Sequence, residues 1–188
     1  NTAVLTGPIS IAFDPSGVMT LGIFRRIKQV TPAATTNPYG DGLINTVASN
    51  GGTIGIAGNG GPATAASVGD VVDVAVNPAG EIFVGGRDSH TIRRISGGTI
   101  DAIAGPGTPA SNAGIAGFAD GTGDIARFSQ TTEMVFHNGA LYVVDARNNR
   151  IRLILPAATA AATTVQTVAG NGPDMVAPTG VALSMLAG

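Results

Sequence analysis

The sequence predicts an all-β fold of repeated four-stranded antiparallel sheets, and three observations lead there. The first is self-similarity. Residues 71–105 and 131–170 run through the same order of apolar segments and turns, and residues 8–48 give a worn copy. A unit repeated in this way cannot bury its apolar faces alone and stacks on its neighbours. The second is turn chemistry. Each copy holds four short apolar segments, with Pro15-Ser16-Gly17, Pro78-Ala79-Gly80 or Asn138-Gly139 after the first. Such residues make tight hairpins between strands. The third is composition. Gly contributes 28 residues and Pro 11, and charged residues are 12% of the 188, against about 25% in typical soluble domains. Helix-period patterning is essentially absent. Four-stranded units that stack side by side are blades of a β-propeller.

In chain order, residues 1–7 (NTAVLTG) read as the fourth strand of a preceding blade. Blade 1 spans residues 8–50, with strands ISIAFD, VMTLGI, FRRIKQV and LINTVAS. Residues 51–70 form a Gly-rich loop. Blade 2 spans 71–105, with VVDVAVN, EIFVGG, TIRRIS and TIDAIAG. Residues 106–127 are a second loop. Blade 3 spans 128–170, with TEMVFH, ALYVVDA, RIRLIL and VQTVAG, and residues 171–188 supply the first strand of a further blade, PTGVALS. These strands alternate or run apolar, as sheets packed against neighbours on their faces require. The expectation is an incomplete ring of about three blades plus flanking strands. Propellers use four to eight blades, so either a longer polypeptide or further copies of the chain would complete it. Unpaired terminal sheets would otherwise leave open edges that invite another chain.

The residues YVVDARNNRIR (142–152), with the strand and turn before them and TVAGNG after them, resemble an NHL repeat. Asp145, Asn148, Asn149, Arg150 and Ile151 match its second-to-third strand turn. Ser89, His90, Ile92 and Arg93 match it in blade 2, where Gly86 stands in place of the Asp. The connectors GNGGPATAAS (58–67) and GFADGTGDIARF (117–128) resemble those of bacterial members. Blade 1 departs from the pattern: LGIFRRI has no Asp-x-x-Asn-His turn, so its connection must be shorter. The resemblance implies a propeller of about six blades whose loop faces and rims bind proteins or other ligands.

The candidate residues follow from the repeat. Aligning the copies on the first turn places Ser10, Asp73, Glu133 and Gly180 at one position. The resemblance implies a small residue there, near the central channel. Two carboxylates converging at a channel mouth would hold a hard cation such as Ca²⁺ or a cationic ligand group, or serve acid–base work through a raised pKa. The plain alternative is two solvated acids at a channel entrance. His90 sits where Asn149 sits in the next blade, so both read as turn residues that hydrogen-bond locally, with Asp145 and Asn148. His137 falls at the strand end held by Asp14 and Asn77 and reads as a turn cap. The recurring basic residues Arg25, Arg26, Arg93, Arg94, Arg150 and Arg152 read as scaffold, their heads on acids or backbone carbonyls. AGNGGP (57–62) lacks the Lys-Ser/Thr of a phosphate loop. Asp120-Gly121-Thr122-Gly123-Asp124 lacks the full spacing and terminal Glu of a calcium loop.

The classes excluded are as informative. There is no Cys, hence no disulfide, thiolate metal site or Cys nucleophile. Neither a Ser-His-Asp set nor Gly-x-Ser-x-Gly is present. A net charge of −2 and two Tyr without Trp give no nucleic-acid footprint. No apolar run reaches the 18 residues of a membrane-spanning helix, and the first residues lack the charged and apolar regions of a secretory signal. Low charge with abundant Gly, Ala and Thr points to an extracellular or periplasmic setting. The sequence therefore favours a non-catalytic binding or structural scaffold module without a cofactor. Its partners would be a protein or further copies of itself that complete the propeller. A metal-dependent propeller lyase or hydrolase, which the resemblance also implies, is the alternative; Asp73 and Glu133 are its only support.

Overall fold

The computed structural model describes residues 5, 7–36, 42–49, 55–105 and 115–170. The flanking strands expected at 1–7 and 178–184 thus fall, residue 5 and Gly7 apart, outside the described residues. Among the described residues, every regular element beyond two single 3₁₀ turns is a strand. Blade 1 is formed by β1 (Pro8–Phe13), β2 (Met19–Ile23), β3 (Arg26–Thr31) and β4 (Leu43–Ala48), in the spatial order β1-β2-β3-β4. Blade 2 comprises β5 (Gly61–Pro62), β6 (Val71–Val76), β7 (Ile82–Gly86), β8 (Ile92–Ser96) and β9 (Thr99–Ala104), in the order β5-β9-β8-β7-β6. Blade 3 repeats this with β10 (Gly121–Thr122), β11 (Thr131–His137), β12 (Ala140–Asp145), β13 (Arg150–Leu155) and β14 (Thr164–Ala169). All pairings are antiparallel.

The segments read from sequence as connecting loops thus contribute β5 and β10. Each lays two residues along the outer strand of the blade that follows, Gly61 against Ile100 and Gly121 against Val165. A pairing of two residues leaves no periodic trace in a sequence, which is why these strands escaped prediction.

Two turn types start the blades. In blade 1 the Asp14 carboxylate accepts the N–H groups of Ser16 and Val18, both at 2.9 Å. In blade 2 the Asn77 side-chain oxygen accepts those of Ala79 and Glu81. Blade 3 differs. His137 pairs with Ala140 across Asn138 (φ 47°) and Gly139 (φ 80°), a two-residue hairpin closed by the backbone itself. No turn-capping bond from His137 is found among the described residues, so the cap expected there is corrected.

The inner strands β1, β6 and β11 stand side by side, β6 between the others. Each blade has a leading face, turned to the next blade, and a trailing face. The leading face of blade 1 (Ala12, Ile27, Ala48) meets the trailing face of blade 2 (Val74, Ile82, Val84, Ile95). The leading face of blade 2 (Ala75, Phe83, Ile92) meets the trailing face of blade 3 (Met134, Leu141, Val143, Ile154). Phe83 and Phe136 stack across that second junction with ring centres 5.5 Å apart. A Cβ on Gly22 would lie 3.1 Å from a Val71 methyl, and one on Gly85 3.2 Å from the Met134 methyl. Glycine at these two positions lets the blades approach closely. Blade 3 carries Val144 at the corresponding place.

Candidate functional site

The inner strands carry the residues singled out in sequence. Each of them is irregular at that point: the strand register shifts between Pro8 and Ser10, Val71 and Asp73, and Thr131 and Met134. Such bulges redirect side chains. Ser10 lies opposite Gly22 and Asp73 opposite Gly85, so the two occupy equivalent positions. Both reach sideways to a neighbouring blade. The Ser10 hydroxyl donates to Asp73 Oδ1 and accepts the Val74 N–H at 3.0 Å. Asp73 Oδ2 accepts the Met134 N–H at 2.5 Å. A residue of one blade thus holds the backbone N–H of the next, one position further on. Asp73 is engaged through both oxygens by blades 1 and 3. Glu133 is exposed and has no hydrogen bond or ion pair among the described residues. Among these residues no three acidic or His side chains gather closely enough to hold one metal ion.

The turn residues form a second constellation. Asp145 and Arg152 are both fully buried and pair at 2.7 Å. Arg152 also contacts Asp120 Oδ1 at 2.7 Å and donates to the carbonyls of Ala119 and Arg127. The Phe118 and Phe128 rings lie 5.0 and 4.8 Å from the guanidinium. Asp145 accepts the Ser129 N–H and the Asn148 amide, and Asn148 also donates to the Gly117 carbonyl. Together these bonds clamp residues 117–129 onto blade 3. Sequence reasoning missed this role for Asp120 and Phe118; two aromatics bracketing an acid in the connector were the available signal.

In blade 2 the equivalent Arg93 is equally buried but faces Gly86 where blade 3 has Asp145. It donates to the carbonyls of Ser67 and Ala57, and its Nε has no partner. Burial pushes this guanidinium down to about 10, opposed by Asp101. Register places Lys28 at the same position in blade 1, opposite Leu21 as Arg93 lies opposite Val84. The recurrence of Arg25 and Arg26 with Arg93 and Arg94 is therefore corrected. The turn of blade 1 is two residues shorter than that of blade 3, with Ile23 paired to Arg26 across only Phe24 and Arg25, and its basic pair falls three positions before the place of Arg93 and Arg94. Arg25, His90 and Asn149 share one place, each left-handed, at φ 59°, 50° and 51°. Asn and His tolerate this backbone region better than most side chains. His90 does more than turn the chain. Its Nδ1 accepts the Gln130 N–H at 3.2 Å, tying blade 2 to the entry of blade 3. Burial pulls its pKa below the ordinary value; Asp88 opposes this and Arg147 reinforces it.

Two open grooves flank these constellations. One, about 380 Å³, lies between blades 1 and 2 and is lined by Gln29, Thr46, Thr64, Glu81 and Ser96. The other, about 370 Å³, runs along the leading face of blade 3 beside Glu133, Val135, Tyr142, Val144 and Ile151, and Asp73 of blade 2 lines it as well, so the two carboxylates singled out in sequence border one groove.

No protein-family model matches the sequence, and no curated protein matches it. Solved structures do. A Bacteroides thetaiotaomicron protein of unknown function superposes with a TM-score of 0.59 at 15% identity, over 88% of this chain and 36% of its own. An auxiliary nutrient binding protein from the same organism gives 0.55 at 16% identity, over 86% and 35%. A chain of a nidogen–laminin complex gives 0.53 at 14% identity, over 86% and 48%. At such identities the likeness concerns the fold alone. The chain is all-β and built of propeller-type blades, and it spans about a third to a half of the length of these structures.

Proposed function

We propose that the chain is a non-catalytic binding or structural scaffold module made of NHL-type blades, working in an extracellular or periplasmic setting. One observation carries this reading: the polar groups that repeat in the blades join parts of the fold. Asp73 bonds both neighbouring blades, Asp145 and Arg152 hold a connector, and Arg94 reaches the carbonyls of Ala157 and Ala158 in blade 3. The turn YVVDARNNRIR (142–152) supports the NHL assignment. The nutrient-binding role of one structural neighbour supports binding, and the low charge supports export. Partners are a protein or further copies of the chain, met through grooves and exposed blade faces.

Titration with Ca²⁺, Mg²⁺, Mn²⁺ and Zn²⁺, followed by thermal unfolding and calorimetry, tests the reading. The expected result is no saturable heat and no rise in Tm. A saturable rise that disappears in an Asp73→Asn/Glu133→Gln variant would overturn it in favour of a metal-dependent lyase or hydrolase.

A further inference from the structure

Two junctions in this molecule show what covers a blade face. At each, a leading-face residue holds the N–H of an apolar residue on the next inner strand. Ser10 holds Val74, and Asp73 holds Met134. The covered side chains are buried, Val74 to 2% exposure and Met134 to 8%. A third set of the same groups stands open. On the leading face of blade 3, Glu133 has no partner among the described residues and Val135 is 59% exposed, where its equivalent Ala75 is 4%. On the trailing side of blade 1, Ile11 occupies the place of Val74 and Met134 and is 56% exposed. Ile9 beside it is 51% exposed. Elsewhere on that face Leu21, Ile23 and Val30 already form a small cluster of their own, so the inner strand is the part left to dock.

We infer that the leading face of blade 3 binds the inner strand of blade 1 in a second copy of this chain, head to tail, with Glu133 accepting the N–H of Ile11. The first junction pairs Gly22 with the short Ser10, and the second Gly85 with Asp73. The open face has Val144, whose side chain holds the partner further off, and Glu133, one methylene longer than Asp73. A contact between two different faces is heterologous. It closes into a ring where the rotation permits and extends otherwise; two chains of three blades joined twice would give a six-bladed ring. The inference rests on the module reading above but concerns only this junction.

Native mass of the 188-residue chain, measured by light scattering over a range of concentrations, tests it. The expected mass is twice that of one chain, or a rising series if the ring stays open. Val135→Glu and Ile11→Glu alter exposed positions and leave the fold intact, as circular dichroism would verify. Each alone should return the mass to one chain. Mixed, they should restore a single junction and give a two-chain species that grows no further, because each variant keeps one sound face. Glu133→Gln should weaken the association several-fold. A one-chain mass at every concentration, or a multiple that survives both charge substitutions, overturns the junction. Neither result alters the cation titration, so the two readings fail separately.

Discussion

A single carboxylate, Asp73, joins three sheets. Its Oδ1 accepts from Ser10 of blade 1 and its Oδ2 from the Met134 N–H of blade 3. Removing a buried partner leaves the opposite group desolvated and unpaired, which costs about 1–3 kcal/mol. Asp73→Ala should therefore destabilise by about 2 kcal/mol, and Ser10→Ala by about 1. Because both act on one bond, the double variant should lose less than the sum of the two. Urea unfolding of the four proteins measures this, and strict additivity would show that the Ser10–Asp73 bond carries no energy. His90 gives the residue scale its pH dependence. Burial holds its pKa below the ordinary value, so between that lowered value and about 6.5 the unfolded chain binds more protons than the folded one. Stability then rises with pH through this window and falls on acidification, levelling off below the folded pKa. A proton on Nδ1 would also abolish its acceptance of the Gln130 N–H. His90→Asn keeps a side chain suited to φ 50° and has no titration there. The native protein should thus lose stability relative to this variant between pH 7 and pH 5, and parallel profiles would exclude His90 as the source.

At the scale of the element, the turn between second and third strands exists in three versions, and their comparison is an experiment the chain has half performed. Blade 3 neutralises its buried Arg152 with Asp145. Blade 2 keeps the buried Arg93 but has Gly86. A Cβ at Gly86 would meet the Ser89 hydroxyl at 2.4 Å, the movable end of a side chain, and the Ser89 Cβ at 3.3 Å, which must give slightly; the backbone there is not left-handed. Gly86→Asp with Ser89→Asn should rebuild the blade 3 arrangement, raise stability by about 1–3 kcal/mol and lift Arg93 back from about 10. The inverse change, Arg152→Met, strands a buried carboxylate and should cost about 3–5 kcal/mol. Thermal unfolding of both variants checks the pair, and a loss in the first would mean that Ser67 and Ala57 already satisfy the cation. The strands and their order were legible in sequence because apolar runs and hairpin residues are local signals. The blade 1 register was not. There the eye aligns Arg25-Arg26 with Arg93-Arg94, while the two-residue turn sets Lys28 opposite Leu21. The sideways reach of Ser10 and Asp73 was equally hidden. It depends on a bulge in each inner strand, and period-2 alternation carries no information about where a ladder slips. Asp145, Asn148 and Asn149 could be read as a turn; that the turn also grips residues 117–129 depends on long-range packing, to which only the aromatics around Asp120 pointed.

At the scale of the molecule, three blades make a short linear array in which each touches only its neighbours, so stability is a sum of blade and junction contributions. Blade 2 has both faces covered: its trailing side chains belong to one apolar cluster and its leading side chains to another. Every residue of β7 is buried, while β1 is exposed or half-buried along its length. Opening blade 2 must break two junctions, whereas opening blade 1 or blade 3 breaks one. Local openings of low free energy should therefore start at the ends. Native-state amide exchange is expected to rank the strands accordingly, with slowest exchange in β7 and β8, faster exchange in β11 to β13, and fastest exchange in β1. Blade 3 should be better protected than blade 1 because the fully buried Asp145–Arg152 clamp and the stacked Phe83–Phe136 pair fasten it, while the first junction has Ser10 and the partly exposed Arg25–Asp70 pair, which solvent screens. Asp73→Ala should speed exchange in blades 1 and 3 together and leave the ranking of β7 unchanged. Uniform exchange across the three sheets would instead describe one cooperative unit and would remove the additive picture on which the junction energies rest.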